Sequence, residues 1–494
     1  MFSPFGSIKK KHLPSLLAFF ICLVFLVAFS TLSVTRHLHY NSYGYDLGIN
    51  DQTVWRYSTF QSPVSTIAPL PDRPKLAMHV ELVYAIISPI YWIWDSRRML
   101  LITDALIVVS GAYAMFLLAK EKLKNNWVSI AILFSYLMFY GVQNAIWFDV
   151  HSTSFAASFI AWFIYALDRR KLKLSLLFFF LAITAKENMA TYTLIISLLY
   201  LIRRREKIVF FFVTASVAYL LFIFLVYFPH IVSIDYQYQN KAGILSNLNP
   251  FFLFNTKEKL VTLFYSFASV GFLPILNPLT LPLIFTHFTT FFVLASELPG
   301  AQGLYGHYRI TLAPLFAWST ITTIATFSFF NKKKVAIYLV LCAIAVQYLL
   351  HLPLSYLTKS WFWTEPTAVK DLNQLIQKHL PPHASVVSQN NITPHISHRD
   401  KIYALYPTKK EFLKDSPCGQ NKCDWFEWYG SPEYLIADSS GTWDARHLLI
   451  DNKEFNNGFA NLEKLGVIKL YKKINTARLY KVLHRGSTPI DLKM

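Results

Sequence analysis

Apolar residues fall along this chain in blocks of membrane length. A run of about twenty can span a bilayer as a helix. The first run, Leu13 to Val34, follows the basic start "MFSPFGSIKKKH". No small-x-small cleavage site closes a short core, so the pattern predicts a retained helix. Further blocks predict helices over Met99–Leu118, Trp127–Trp147, Thr153–Leu167, Ile208–Phe228, Ile310–Phe330 and Val335–Leu357. Two short helices turn at Lys186-Glu187-Asn188, and two more are expected in 259–297 around Pro274, Pro278 and Pro282. Together these make about eleven transmembrane helices. "HVELVYAIISPIYWIW", 79–94, is short and interrupted by Pro89, which suits an interfacial or re-entrant segment.

The pattern changes at Thr358. Beyond it there is no membrane-length run, and charged residues are interspersed. "HASVVSQNN" and "EYLIADSS" read as short strands, and "AVKDLNQLIQKHLPP" as a helix stopped by proline. The expected fold is a polytopic α-helical membrane protein with a small C-terminal α/β domain. The transmembrane part is 1–357, with a first outer loop at about 35–98, and the soluble part is 358–494.

Composition supports the membrane reading. Of 494 residues, 54% are hydrophobic and only 15% charged, against about 25% in ordinary soluble proteins. The net charge of +19 has a topological explanation, because basic residues accumulate in cytoplasmic loops. Clusters at 8–11, 120–124, 169–173, 203–207 and 332–334 all fall on one side of the expected topology. That places a multi-pass protein in the cytoplasmic (inner) membrane, N-terminus inside and C-terminal domain outside. No Lys/Arg run points to nucleic acid. Cys418 and Cys423 are close enough in sequence for a small disulfide loop if their segment is extracytoplasmic; a zinc site would need two more ligands, and none is obvious nearby. "NNIT", 390–393, contains an N-glycosylation sequon.

Ionisable residues expected near the outer face are few. Asp46 and Asp51 sit in the first outer loop, with His79 and Glu81 further along it. Asp149 and His151 lie in the second. Lys186 and Glu187 form the turn between the two short helices, and His307, Tyr308 and Arg309 precede a helix. Ionisable groups at membrane depth are costly, so they pair or line a watery cavity. A carboxylate there can act as general base toward an acceptor hydroxyl. It can also hold a divalent metal, and Lys or Arg can neutralise a lipid phosphate. These residues are expected to converge on one pocket, with Asp46 pointing into it.

The blocks "YDLGINDQTVW", "MHVELVYAIISPIYWIW", "WFDVHSTSFAASFIAWFIYAL", "AITAKENMATYTLIISLLYL", "GHYRITLAPLF" and "LPPHASVVSQNNITPHISHRDKIYALYP" resemble, in order, those of the membrane family called domain of unknown function 2079. Where that family carries H-F-S-P, F-H-P-E and K-E-D, this chain has His79-Val80-Glu81-Leu82, Val150-His151-Ser152-Thr153 and Lys186-Glu187-Asn188. The family in turn resembles the GT-C glycosyltransferases, multi-span enzymes that use polyprenyl-phosphate sugars and carry an acidic residue in the first outer loop. The resemblance implies a GT-C-like fold, Asp46 as catalytic base with Asp51 second, and a polyprenyl-phosphate sugar as donor. The other nine residues would bind substrate. Competing readings are a lipid or solute transporter and a non-catalytic envelope protein.

Overall fold

The structure, a computed structural model, describes residues 13–67, 75–232, 250–294, 300–407, 426–428, 430–440 and 452–483. The Cys418–Cys423 pair lies outside them. The chain divides into two compact units. One comprises Met1–Ser33, Leu76–Val83 and Leu101–Thr358; the other comprises Val34–Lys75, Tyr84–Leu100 and Lys359–Met494. One change of unit falls between Thr358 and Lys359. Val34–Lys75 and Tyr84–Leu100 group with Lys359–Met494.

The first unit is helical. Among the described residues, four helices are long and apolar enough to cross a membrane: Leu13–Leu38, Arg97–Leu123, Lys207–Val232 and Lys332–Leu350. The first two begin or end in the second unit. A fifth arises if Asn126–Met138 and Tyr140–Phe148, bent by 41°, form one span. The expected continuous helix over 127–147 breaks at Phe139, whose ψ of 131° is extended. Gln143 supports the break: its Nε2 donates to Met138 O, a carbonyl freed there, at 2.8 Å. Gly141 permits it, since a Cβ there would lie 2.8 Å from the backbone of Arg309. Several expected spans are short helices, among them Leu172–Ala185 and Leu312–Thr326. The proline-rich stretch breaks into Lys257–Ala268, the turn Leu273–Leu276 and Leu281–Thr289. Pro lacks the N–H that a continuous helix needs. Starts are capped where the sequence allows: Asn125 accepts from Val128 N, and Asn331 accepts from Lys333 N and Lys334 N. The second cap offsets three lysines at a helix N-terminus, where cations are unfavourable.

The second unit holds a mixed sheet. Its strands are β1 (Val386–Ser388), β2 (Ile402–Ala404), β3 (Tyr406–Pro407), β4 (Phe426–Glu427), β5 (Tyr434–Asp438), β6 (Ile468–Ile474) and β7 (Ala477–Val482). The main sheet runs β2-β1-β5-β7-β6, and β3 pairs with β4 separately. β2, β1 and β5 are parallel, while β7 is antiparallel to β5 and β6. β1 is entirely buried, as the centre of a parallel segment must be. Helix Thr367–His379 buries Ala368, Val369, Leu372 and Leu375, spaced on one helical face. The segment after helix Leu13–Leu38 is built into this unit. It makes a π-helical turn, Gly44–Gly48, and then helix Ile49–Ser58. Gln52 Nε2 donates to Arg399 O and to Thr66 Oγ1, and Thr66 Oγ1 donates to Ile402 O in β2.

Candidate functional site

Asp46 sits in the turn Gly44–Gly48 and is half-buried. The turn closes on itself: Asp46 N–H and Gly48 N–H donate to Tyr43 O at 3.3 and 3.0 Å. Asp51, one helical turn further, is fully buried. Both its oxygens are taken. Tyr91 OH donates to Oδ1, Ser397 Oγ donates to Oδ2, and His398 Nε2 lies 3.0 Å from Oδ2. The other ring nitrogen of His398, Nδ1, is 2.6 Å from Asp95 Oδ1. The imidazole is thus held between two carboxylates. Burial would lower its pKa, but Asp51 and Asp95 outweigh burial and hold it above the usual histidine value. Burial would raise Asp51, but His398, Arg97 and the Ser397 hydroxyl bring it below the usual carboxylate value. Asp51 is a brace joining three chain segments, with its oxygens committed.

The other nine expected residues belong to the first unit. Glu187 is fully buried at the turn between helices Leu172–Ala185 and Met189–Arg204. Its Oε1 meets His79 Nδ1 at 2.8 Å, and its Oε2 accepts from Val80 N–H at 3.0 Å. Burial lowers the His79 pKa and Lys186 adds to this; Glu187 and Glu81 pull upward and do not prevail. His79 is therefore neutral, its Nδ1–H donates to Glu187, and its Nε2 carries the lone pair. Glu81 accepts from Ser152 Oγ, the first residue of helix Ser152–Asp168. His151 precedes that helix and stacks on His307 with ring centroids 3.6 Å apart. Burial and then Lys186 push His307 down to about 3, so it too is neutral. Asp149 is buried at the end of helix Tyr140–Phe148. The arrangement brings Lys186, two neutral imidazoles and two carboxylates together. It can bind a phosphate through the ammonium and donate or accept protons through the rings.

Tyr308 packs on His307 and Phe291. Arg309 turns inward and is fully buried. Its guanidinium donates to Ala301 O and to His287 Nε2, the latter at 3.2 Å. Because Arg can only donate, His287 Nε2 is the acceptor, and its Nδ1–H donates to Tyr192 OH at 2.9 Å. The rings of Phe288, Phe291 and Phe292 surround the guanidinium at 5.1–5.9 Å. Arg309 is a buried anchor, unlike the half-buried Lys186. Among the described residues, no three His, Cys, Asp or Glu side chains are grouped to hold a metal ion.

The family model described as "Predicted membrane protein (DUF2079)" matches residues 36–447. The chain belongs to this membrane-protein family. No curated protein matches it in sequence. Among solved structures, it resembles ArnT from Cupriavidus metallidurans, whose crystal structure is bound to undecaprenyl phosphate. Identity is 12%, the TM-score is 0.54, and the likeness covers 96% of this chain and 99% of ArnT. At that identity the likeness is one of fold.

Within this DUF2079 chain, the expected residues do not all belong to one unit. Asp46 and Asp51 lie in the second and the remaining nine in the first. Residue-level reasoning missed Tyr91, Asp95, Ser397 and His398. The signal was present in "PHISHRD", where a histidine is followed by charged residues just after β1. The sequon has a different meaning from the one its pattern suggests. Its acceptor Asn391 and the preceding Asn390 are both buried, so neither amide is reachable in the folded chain.

Proposed function

We propose that the protein is a GT-C-type glycosyltransferase, moving a sugar from a polyprenyl-phosphate donor to an acceptor outside the cytoplasm. The observation that carries this reading is the fold likeness to ArnT over nearly the whole of both chains. The cluster around Lys186, His79 and His307 supports it by offering the chemistry a lipid phosphate requires. Asp46, half-buried and in the family's first motif, is assigned as base. Asp51, with both oxygens occupied, is assigned to support.

In the proposed step, an acceptor O–H gives its proton to the Asp46 carboxylate while its oxygen attacks the anomeric carbon. The bond from that carbon to the phosphate oxygen breaks, and the electron pair leaves with the polyprenyl phosphate. Within the first unit, the Lys186 ammonium offers a charge that can hold a lipid phosphate. His307, being neutral, can donate one hydrogen bond to such a phosphate without adding net charge, whereas the N–H of His79 is already given to Glu187.

The test is transfer in proteoliposomes supplied with undecaprenyl-phosphate-linked pentoses and hexoses. Asp46→Asn should lower kcat by about 10²–10⁴, the range expected for a lost general base. Undiminished transfer at normal protein level removes Asp46 from the mechanism.

A further inference from the structure

Strand order reverses between β1 and β5, since β1 is followed by β2 on one side and joined by β5 on the other. In an open α/β sheet that reversal opens a crevice at the carboxyl ends of the strands, where ligands usually bind. Here the protein fills it with its own chain. Gln389 Oε1 accepts from Asp438 N–H at 3.0 Å, bridging the ends of β1 and β5. The next residue, Asn390, grips the first outer loop. Its Oδ1 accepts from Gly44 N–H at 2.8 Å and Tyr45 N–H at 3.2 Å. Its backbone O also accepts from Gly44 N–H, at 2.8 Å. The approach is so close that a Cβ on Gly44 would lie 2.9 Å from Thr393 Cβ. Thr393 is itself fixed, with its Oγ1 2.8 Å from Ser388 Oγ and donating to Gln389 O at 3.0 Å.

Asn390 is 2% exposed, so water does not compete for these bonds. Tyr45, one of the two gripped amides, immediately precedes Asp46. We propose that Asn390 is a positioning residue for Asp46: its side-chain carbonyl fixes the turn that presents the carboxylate to the acceptor. This rests on Asp46 being the base. It gives the C-terminal α/β domain a part in the reaction without contact with substrate. A purely structural tie would lower the amount or stability of folded protein and leave turnover per folded molecule unchanged.

Asn390→Leu removes the acceptor at similar size. Asn390→Asp keeps an acceptor oxygen, and it replaces only Nδ2, which makes no hydrogen bond. Both are compared with wild type in proteoliposomes, by amide exchange at Tyr45 and by transfer from undecaprenyl-phosphate-linked sugars. In the Leu variant, exchange at Tyr45 should speed up about tenfold. Its kcat per folded molecule should fall roughly ten- to a hundredfold, with KM for the donor little changed. The Asp variant should recover both to within a few-fold. Unchanged exchange in the Leu variant overturns the grip. Faster exchange with unchanged kcat overturns the positioning role and leaves the enzymatic reading intact. Wild-type transfer by Asp46→Asn removes Asp46 as base and overturns the positioning role with it, while no transfer by the wild-type protein overturns the enzymatic reading and the positioning role together; in either case the exchange result reports only a structural clamp.

Discussion

His79 and His398 are both buried beside a carboxylate, and they end in opposite protonation states. His79 has Glu187 at 2.8 Å and Lys186 acting on it in the opposite sense. Burial is the largest influence, so the ring stays neutral. His398 has a carboxylate on each nitrogen, Asp51 at 3.0 Å and Asp95 at 2.6 Å. There two attractions overcome burial and the opposing Arg97 and raise the pKa, and a carboxylate oxygen on each ring nitrogen requires a proton on both. Each ring feels two carboxylates and one cation; after burial, the cation Lys186 is the strongest charge on His79, whereas the carboxylate of Asp51 is the strongest on His398. The neutral ring keeps a nitrogen lone pair for proton chemistry, whereas the charged ring is spent on joining chain segments.

The largest effects should come from removing each carboxylate. Asp51→Asn breaks a buried ion pair and should cost about 3–5 kcal/mol, read as lost hydrogen-exchange protection in helix Ile49–Ser58. Glu187→Gln faces a neutral ring and keeps an acceptor oxygen, so it should cost nearer 1.5 kcal/mol around residues 79–80. Equal costs would break the comparison.

The pH response should differ in sign. His398 is raised from 6.5, so the stability it supplies is complete below that value and fades as pH rises through its folded pKa. Asp51 is lowered from 3.8, so its share is complete above that value and fades as pH falls through its folded pKa. His79 is lowered from 6.5, so on acidification below that value the unfolded chain takes up a proton that the folded ring refuses, and the fold weakens. Between pH 8 and 5, local exchange should therefore slow around His398 and quicken around His79. Parallel trends would contradict the assignment of charge.

Finer changes sharpen the contrast. Lys186→Met should raise the His79 titration midpoint, followed by ring NMR, because the cation that helps depress it is gone. Asp95→Asn should have the smallest effect on stability, under about 1 kcal/mol, since the Asp95 side chain is 63% exposed and solvent screens it. It should still lower the His398 midpoint, separating the contribution of the exposed carboxylate from that of the buried one.

Much of this was legible in residue order. The apolar blocks announce membrane helices, the turn at Lys186-Glu187-Asn188 follows from basic clusters on both flanks, and the strand at "EYLIADSS" follows from its composition. The break at Phe139 was not legible. It depends on Gln143 reaching back to a carbonyl and on close approach by Arg309, neither of which hydropathy encodes. Asp51 was singled out, but its role was not, because its partner Ser397 is 346 residues away. Arg309 looked like a phosphate ligand because its type fits; its aromatic surroundings and His287 come from elsewhere in the chain. Residue type marks where chemistry is possible, whereas long-range packing decides which groups are already committed.

The second unit is assembled from three separated stretches of chain, with about 260 residues between Leu100 and Lys359. A ribosome adding roughly 5–20 residues per second needs about 13–50 s to cover that gap. During that interval the Gly44 turn and Asp51 are already synthesised, but Asn390, Ser397 and His398 are not. Biogenesis of this protein therefore includes a waiting period in which its first loop has no permanent home. A chain released early, before β1 is made, would insert its opening helices and still lack the means to close that loop.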